Sequence, residues 1–239
     1  MDTKTVKAIC LKTADYLDFD KMLLLYGLDT GKISAHIKGV KKPQAKLKFA
    51  AQQFCFGEYQ LSEKNGRFLV VNCTEIESFF DLRNNIDAYT CACVMTEFVS
   101  VIGQENEPNA SLFLLLIKSL LKLAEGVTPK LALTKFLLDA IKIAGFGLSF
   151  DKCNCCSSTV FSKLYIDKIN GGAVCQNCKS GICTPLSPAV LNCFKQVDNT
   201  SLERITVLKI DIYLNEMLII LSSYIENLIK KLNSIQFLF

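Results

Sequence analysis

The sequence lacks any apolar run long enough to cross a membrane and any visible export signal. Its most lipid-like segment, LFLLLIKSLL at residues 112–121, contains Lys118 and is much shorter than the roughly 20 apolar residues that a spanning helix needs. The N-terminal residues MDTKTVKAIC carry charges where a signal peptide has an apolar stretch. We therefore predict a buried helix at residues 112–121 and a cytoplasmic protein without a membrane anchor.

Histidine and the motifs of nucleotide chemistry are also scarce. The only histidine is His36, so a histidine-rich metal site is excluded. No G-x-x-x-x-G-K-[ST] loop is present, which argues against an ATP-driven motor. A ligase would need a K-x-D-G motif, and the nearest match, Lys209-Ile210-Asp211-Ile212, has no glycine. These absences argue against an ATP-driven motor and a ligase.

Cysteine, by contrast, is abundant, with 12 residues in a chain of 239. Disulfide frameworks are not expected in a reducing compartment, so clustered thiols there are metal ligands or redox groups. Isolated cysteines in apolar segments behave as small hydrophobic residues. Six cysteines are predicted to fill the core in this way: Cys10, Cys55, Cys73, Cys91, Cys93 and Cys193.

Two C-x-x-C pairs form the strongest motif. Cys153 and Cys156 make the first pair, Cys175 and Cys178 make the second, and 18 residues separate them, a spacing typical of a four-thiolate zinc site. Four cysteine ligands leave no open position on the metal, so one zinc ion per chain would stabilise structure rather than catalyse a reaction. A redox pair is the main alternative, and Cys155 or Cys183 could replace a ligand.

The segment between the two pairs predicts a β-hairpin. Residues 161–166 alternate in side-chain character, and Asn170-Gly171-Gly172 supplies residues that tolerate positive φ. Such a hairpin would bring the two pairs face to face. A zinc deaminase is excluded, because Val174 stands where its P-C-x-x-C motif has proline.

Periodicity predicts an α+β protein. Apolar alternation indicates five short strands that form a small barrel, at residues 6–12, 22–26, 32–40, 54–61 and 68–76. Helical spacing follows over residues 80–101, 112–124 and 131–144. Further helices are predicted from Ser187-Pro188, from a capping box at Thr200-x-x-Glu203, and along an apolar stripe from Leu214 to Leu232. We divide the chain into a barrel at 1–78, a helical domain at 79–150 and 186–239, and an inserted cysteine module at 151–185.

Charge is distributed unevenly along the chain. Residues 1–48 hold ten lysines and five aspartates, whereas residues 49–110 hold nine acids and three bases. Most of the positive charge lies in GKISAHIKGVKKPQAKLK, residues 31–48, which has six lysines and no acid. We name the candidate contacts to a phosphate backbone as Lys32, His36, Lys38, Lys41, Lys42, Lys46 and Lys48.

Strand geometry gives this segment a cationic face. The two-residue period places Ile33, Ala35 and Ile37 on one side of a strand, and Lys32 and His36 on the other. A basic groove on a small barrel suits a nucleic acid, with aromatic rings available to stack on bases. The alternative is that the lysines only keep a strand edge soluble. Candidates for stacking are Tyr16, Tyr26, Tyr59 and Phe56, none preferred over the others.

The order of these features resembles the RecO family of bacterial DNA repair proteins. The similarity is carried by KAICLKTADYLDFDKMLLLY, GKISAHIKGVKKPQAKL, FFDLRNNIDAYTCACVMTEFVSVIGQENEPNASLFLLL, FSKLYIDKINGGAVCQNC and SYIENLIKKLNSIQFL. It covers nearly the whole chain, and its strength lies in the order of the segments.

The resemblance implies an N-terminal OB-fold, a helical domain and a zinc module. It further implies a recombination mediator that binds single- and double-stranded DNA and anneals complementary strands. Because the family carries no reaction centre, the resemblance also predicts that the protein is not an enzyme. The expected partners are RecR, the single-strand binding protein and, indirectly, RecA, which the mediator helps to load onto coated DNA. Two other classes stay open: a nucleic-acid enzyme with an OB-fold and zinc module, such as a ligase, and a zinc-stabilised interaction protein without DNA binding.

Overall fold

The computed structural model describes residues 3–159, 163–168, 172–179, 181 and 183–239. The chain forms two compact units. One comprises Met1–Arg83 with Thr96–Ile117, and the other comprises Asn84–Met95 with Lys118–Phe239. Two of the helices therefore contribute residues to both units.

A closed five-stranded barrel forms the N-terminal part. Its strands are β1 (Thr3–Tyr16), β2 (Asp20–Gly27), β3 (Gly31–Ile37), β4 (Phe56–Lys64) and β5 (Arg67–Glu77). They are ordered β1-β2-β3-β5-β4, β1 closes the barrel by pairing with β4, and β3 pairs in parallel with β5. A small Greek-key barrel of this kind is the OB-fold. The predicted fold class is confirmed.

The apolar side chains of the predicted alternating strands face the interior of this barrel. Ile33, Ala35 and Ile37 are fully or almost fully buried, and the residues between them are not. The barrel core also receives the predicted filler cysteines Cys10 and Cys73. Side chains of alternating strand positions fill a barrel of this size, and here they form one hydrophobic cluster.

The turn into β3 depends on a glycine. Gly31 has φ of +68°, and a Cβ on it would lie 2.4 Å from the carbonyl oxygen of Glu107 and 2.8 Å from that of Gln104. The backbone N–H of Lys32 donates to that Gln104 oxygen at 2.9 Å. The start of β3 is thus pressed against the backbone of the loop at residues 103–109.

Replacing Gly31 by alanine is therefore expected to lower the free energy of unfolding by about 3 kcal/mol, because strain and backbone overlap add. Urea unfolding followed by circular dichroism measures this loss. Gly66→Ala is the matched control: Gly66 has φ of +72° but no atom within 4 Å of the added Cβ, so only the strain of about 1 kcal/mol applies. Equal losses in the two variants would contradict the close contact.

Among the described residues, five α-helices follow the barrel. They are α1 (Ile86–Ile102), α2 (Ala110–Ala124), α3 (Pro129–Ile143), α4 (Pro188–Asn199) and α5 (Leu214–Leu228). Ser187 caps α4 as predicted, because its hydroxyl accepts the backbone N–H of Val190 at 3.2 Å. Asn109 does the same for α2 by accepting the N–H of Leu112 at 3.0 Å. No helix in the described part of the chain is long and apolar enough to cross a membrane.

Two predicted helix features need correction. Thr200 does not begin a helix. It ends α4, its hydroxyl donates to the carbonyl of Gln196 at 2.7 Å, and a 3-10 helix follows at Leu202–Val207. The apolar stripe from Leu214 is buried along α5, but that helix ends at Leu228, so the buried Leu232 lies beyond it. Short 3-10 helices also occur at Phe49–Ala51, Phe80–Asn84, Asp211–Tyr213 and Ser234–Leu238.

The cysteine module contains a three-stranded antiparallel sheet. Its strands are β6 (Leu164–Asp167), β7 (Ala173–Cys175) and β8 (Cys183–Leu186), in the order β7-β6-β8. The predicted hairpin corresponds to β6 and β7, and β8 is an additional strand. Residues 161–162 and the first two residues of the predicted Asn170-Gly171-Gly172 turn lie outside the described residues.

Candidate metal centre and candidate nucleic-acid interface

Two turns bring the four predicted cysteines together. Cys153 and Cys156 flank the turn that precedes β6, and Cys175 and Cys178 flank the turn that begins at the end of β7. Their four sulfur atoms all lie within 4.8 Å of one another. The sulfurs of Cys156 and Cys175 are 3.8 Å apart, which equals the edge of about 3.8 Å of a tetrahedron whose sulfurs lie 2.3 Å from a central zinc ion.

Backbone hydrogen bonds shape these turns. The N–H of Ser157 donates to the carbonyl of Cys153 at 2.8 Å, and that of Cys178 donates to the carbonyl of Cys175 at 3.1 Å. The N–H of Asn154 donates to Ala173 at 2.9 Å and ties the first turn to β7. These backbone contacts shape the two turns and place the two C-x-x-C pairs next to each other.

The thiols of the cluster differ in acidity. Burial opposes ionisation of Cys153, but the backbone N–H groups of Cys156 and Cys175, together with other donors, lower its pKa to about 6. The neighbouring sulfurs of Cys156 and Cys175 raise the pKa of Cys178. The cluster therefore accommodates one thiolate readily and resists the next, because negative charges accumulate at short range. A divalent cation at the centre would remove that repulsion.

The other two cysteines of the module stay outside the cluster. Cys155 is exposed, and Cys183 is half-buried and packs against the cluster from β8. The four-sulfur arrangement therefore consists of Cys153, Cys156, Cys175 and Cys178. Their spacing and chemistry fit a metal ion that closes a small module.

The lysine-rich segment, residues 31–48, runs along β3 and into the loop that follows it. Lys38, Lys41, Lys42, Lys46 and Lys48 are exposed. Lys32 is half-buried, and its ammonium group donates to the carbonyl of Ser100 at 3.1 Å. The segment thus presents an exposed cationic loop, whereas its first lysine is held against α1.

Asp20 fixes the start of this loop. Its carboxylate accepts the backbone N–H of Gly39 at 2.7 Å and lies 2.7 Å from Nε2 of His36. The hydrogen bond from Gly39, assisted by His36, lowers the pKa of Asp20. His36 therefore positions the loop through Asp20.

The β1–β2 hairpin turn, residues 16–20, packs beside the same loop. The backbone N–H of Lys41 donates to the carbonyl of Phe19 at 2.9 Å, and the ammonium group of Lys42 lies 5.5 Å from the centre of the Phe19 ring. The ammonium group of Lys41 pairs with Asp15 at 2.9 Å and lowers the pKa of that carboxyl. Hairpin turn and lysine loop therefore form one continuous surface.

The predicted stacking residues differ in their exposure to solvent. Tyr26 and Tyr59 are completely buried, and the Tyr59 hydroxyl donates to the carbonyl of Ala50 at 3.0 Å. Tyr16 is 44% exposed, and its ring meets that of His36 edge-on, with centroids 5.1 Å apart. Phe19 is 51% exposed but is not among the predicted stacking residues. Its position between two predicted strands could have indicated this exposure.

Comparison with known proteins agrees with this architecture. The family model described as "Recombination protein O N terminal" matches residues 1–79, and that described as "Recombination protein O C terminal" matches residues 83–234. A protein of Pelotomaculum thermopropionicum named "DNA repair protein RecO" is 31% identical over 97% of this chain and 91% of its own length. Proteins of the same name from Clostridium novyi and Bacillus pumilus are each 29% identical, over 85% and 84% of this chain and 80% of their own lengths. Together with the five-stranded barrel, the following helices and the four-cysteine cluster, these matches show that the chain belongs to the RecO family of DNA repair proteins.

Proposed function

We propose that this chain is a recombination mediator that acts by binding DNA and not by catalysing a reaction. The observation that carries the proposal is the exposed loop with Lys38, Lys41, Lys42, Lys46 and Lys48, which contains no acid between residues 36 and 48. Such a loop on an OB-fold suits a phosphate backbone. Because phosphates are common to both forms, the loop would hold single- and double-stranded DNA.

Annealing follows from the same chemistry. Two DNA strands repel each other through their phosphates, and a cationic surface that binds both lowers this repulsion. Membership of the RecO family supports the further proposal that the chain acts with RecR and helps to load RecA onto DNA coated by single-strand binding protein. We also propose that the protein works in the cytoplasm at the nucleoid, where these substrates occur.

We infer that the four-cysteine cluster holds one Zn²⁺ ion per chain. Four sulfur donors at tetrahedral spacing favour zinc over harder cations, which prefer oxygen ligands. When bound, zinc would supply structural closure and no reactive position. A dithiol redox couple needs only two sulfurs and is less consistent with four that all lie within 4.8 Å of one another.

Strand annealing by the purified protein is the direct test. Complementary oligonucleotides, one carrying a fluorophore and the other a quencher, are mixed with and without a coat of single-strand binding protein. We expect annealing to accelerate in both cases and the effect to weaken as salt is added. Protein that binds DNA but never accelerates pairing would contradict the mediator proposal, and protein that binds no DNA would contradict its basis.

A further inference from the structure

We propose that the tip of the β1–β2 hairpin, formed by Tyr16, Leu17 and Phe19, is a binding site for unpaired DNA bases. This inference rests on the DNA-binding function proposed above and names the part of the DNA that the surface recognises. These three apolar side chains are 44%, 69% and 51% exposed, respectively. Tyr16 pairs with Asp20 in the strand register, so a loop of only three residues carries the tip.

The backbone at Leu17 is unfavourable for its residue type. Its φ is +54°, a conformation that favours glycine, asparagine or aspartate in short loops. An exposed leucine at this φ stabilises the loop less than any of those three residues would. Residues that violate local preference and are held by their surroundings cluster at binding sites.

The tip is held rigidly with respect to the lysine loop. The Phe19 carbonyl accepts the N–H of Lys41, and the Phe19 ring lies beneath the ammonium group of Lys42. Asp20 fixes the base of the hairpin to Gly39 at the start of the loop. A ligand that contacts the apolar tip would therefore meet the ammonium groups at the same time.

The charged side chains around the tip indicate which class of ligand binds there. On the loop side, Lys41 and Lys42 contact Phe19, and Asp15 is already paired with Lys41. The tip itself carries an exposed acid, Asp18, between Leu17 and Phe19. A single strand of DNA offers apolar bases alternating with phosphates, which matches apolar side chains bordered by ammonium groups. In a duplex the bases are stacked and their faces are hidden, so a duplex could use only the lysines.

The test compares single-stranded and duplex DNA with a double variant, Leu17→Asn and Phe19→Ala. Asparagine tolerates the positive φ at position 17, so the hairpin is expected to stay folded, which circular dichroism checks. Because stacking contacts are sequence-tolerant, the probes are oligothymidylate and a random duplex of equal length. We expect roughly a tenfold loss of affinity for oligothymidylate and less than a twofold change for the duplex.

A spectroscopic readout separates a base contact from a general loss of affinity. With 2-aminopurine in the single strand, the native protein should change the fluorescence of the base, and the double variant should lose that change at saturating protein. Ile212→Ser is the control, because Ile212 is 84% exposed but belongs to the other compact unit. It should behave as the native protein does.

The outcomes of these experiments distinguish failure of the inference from failure of the proposed function. If the double variant loses affinity for both DNA forms equally, or for neither, the tip does not read unpaired bases. If the tip variant is unchanged in DNA binding but alters self-association in sedimentation, the tip is an interface between copies of the chain and the inference is wrong. If neither DNA form binds to the native protein, the proposed function itself fails.

Discussion

Cys178→Ser is expected to abolish metal binding and to unfold the cysteine module locally. A serine hydroxyl does not ionise near neutral pH, so it leaves three sulfurs and an incomplete tetrahedron. Structural zinc contributes about 10 to 16 kcal/mol to small modules, far more than the three short strands β6, β7 and β8 can supply alone. Metal analysis should fall from one zinc per chain to none, and limited proteolysis should cleave within residues 151–186.

Cys155→Ser is the matched control, because Cys155 neighbours a ligand but is exposed and lies outside the four-sulfur cluster. It should keep one zinc per chain and the protease resistance of the native protein. Metal retention by Cys178→Ser together with loss in Cys155→Ser would show that the ligand set is wrong. Freshly reduced native protein without zinc would refute the metal site itself.

Acid should release the metal. Ligand thiols must be deprotonated to bind, so metal affinity falls as the pH is lowered. Cys153 has its pKa lowered to about 6, whereas that of Cys178 is raised in the metal-free cluster. Measurement of the zinc that stays bound as the pH is lowered checks this release.

Replacing Lys38, Lys41 and Lys42 together by alanine is expected to weaken binding to single-stranded DNA roughly 100-fold. Each exposed charge-assisted contact is worth about 1 kcal/mol, and three such contacts act together on one strand. The slope of log affinity against log salt should become less negative by about 2, since each lost phosphate contact removes about 0.7. Fluorescence anisotropy at several salt concentrations measures both quantities, and different sequences should be affected alike.

Two other variants sharpen this experiment. Lys64→Ala removes the same charge from the β4–β5 turn, outside the lysine segment, and should change affinity less than twofold. Asp15→Asn removes the partner of Lys41 and should increase affinity a few-fold, because surface ion pairs of this kind are worth up to about 1 kcal/mol. An unchanged salt slope in the triple variant would show that DNA binds elsewhere or not at all.

The β1–β2 hairpin and the lysine loop show why local sequence was not enough to predict the proposed DNA-binding surface. Lys38 and Lys41 could be predicted as exposed, because they follow an alternating strand and lysine is seldom buried without a partner. The partner of Lys41 could not be predicted, since Asp15 is 26 residues away in sequence and the contact depends on strand register. For the same reason, nothing local indicated that Lys32 would donate to Ser100.

Side-chain burial also depended on distant residues. Tyr16 and Tyr26 were equal candidates for stacking on bases, yet Tyr16 is exposed at the end of β1 and Tyr26 is fully buried against Phe113. Thr200 matched a capping box, but the preceding helix α4 continued to Asn199 and used Thr200 as its end. A local pattern limits the conformations and positions that such a residue can take, and tertiary packing determines which of them it adopts.

The sequence alone determined the elements whose signal is short-range: the five barrel strands, whose period of two places every second residue in the core, and the four metal ligands, whose spacing sets the turn geometry. Only the tertiary structure decided which exposed side chains share a surface. The β1–β2 hairpin meets the lysine loop through Asp20 and Phe19, and β8 joins the cysteine module, because strand pairing brings together segments that no local pattern relates.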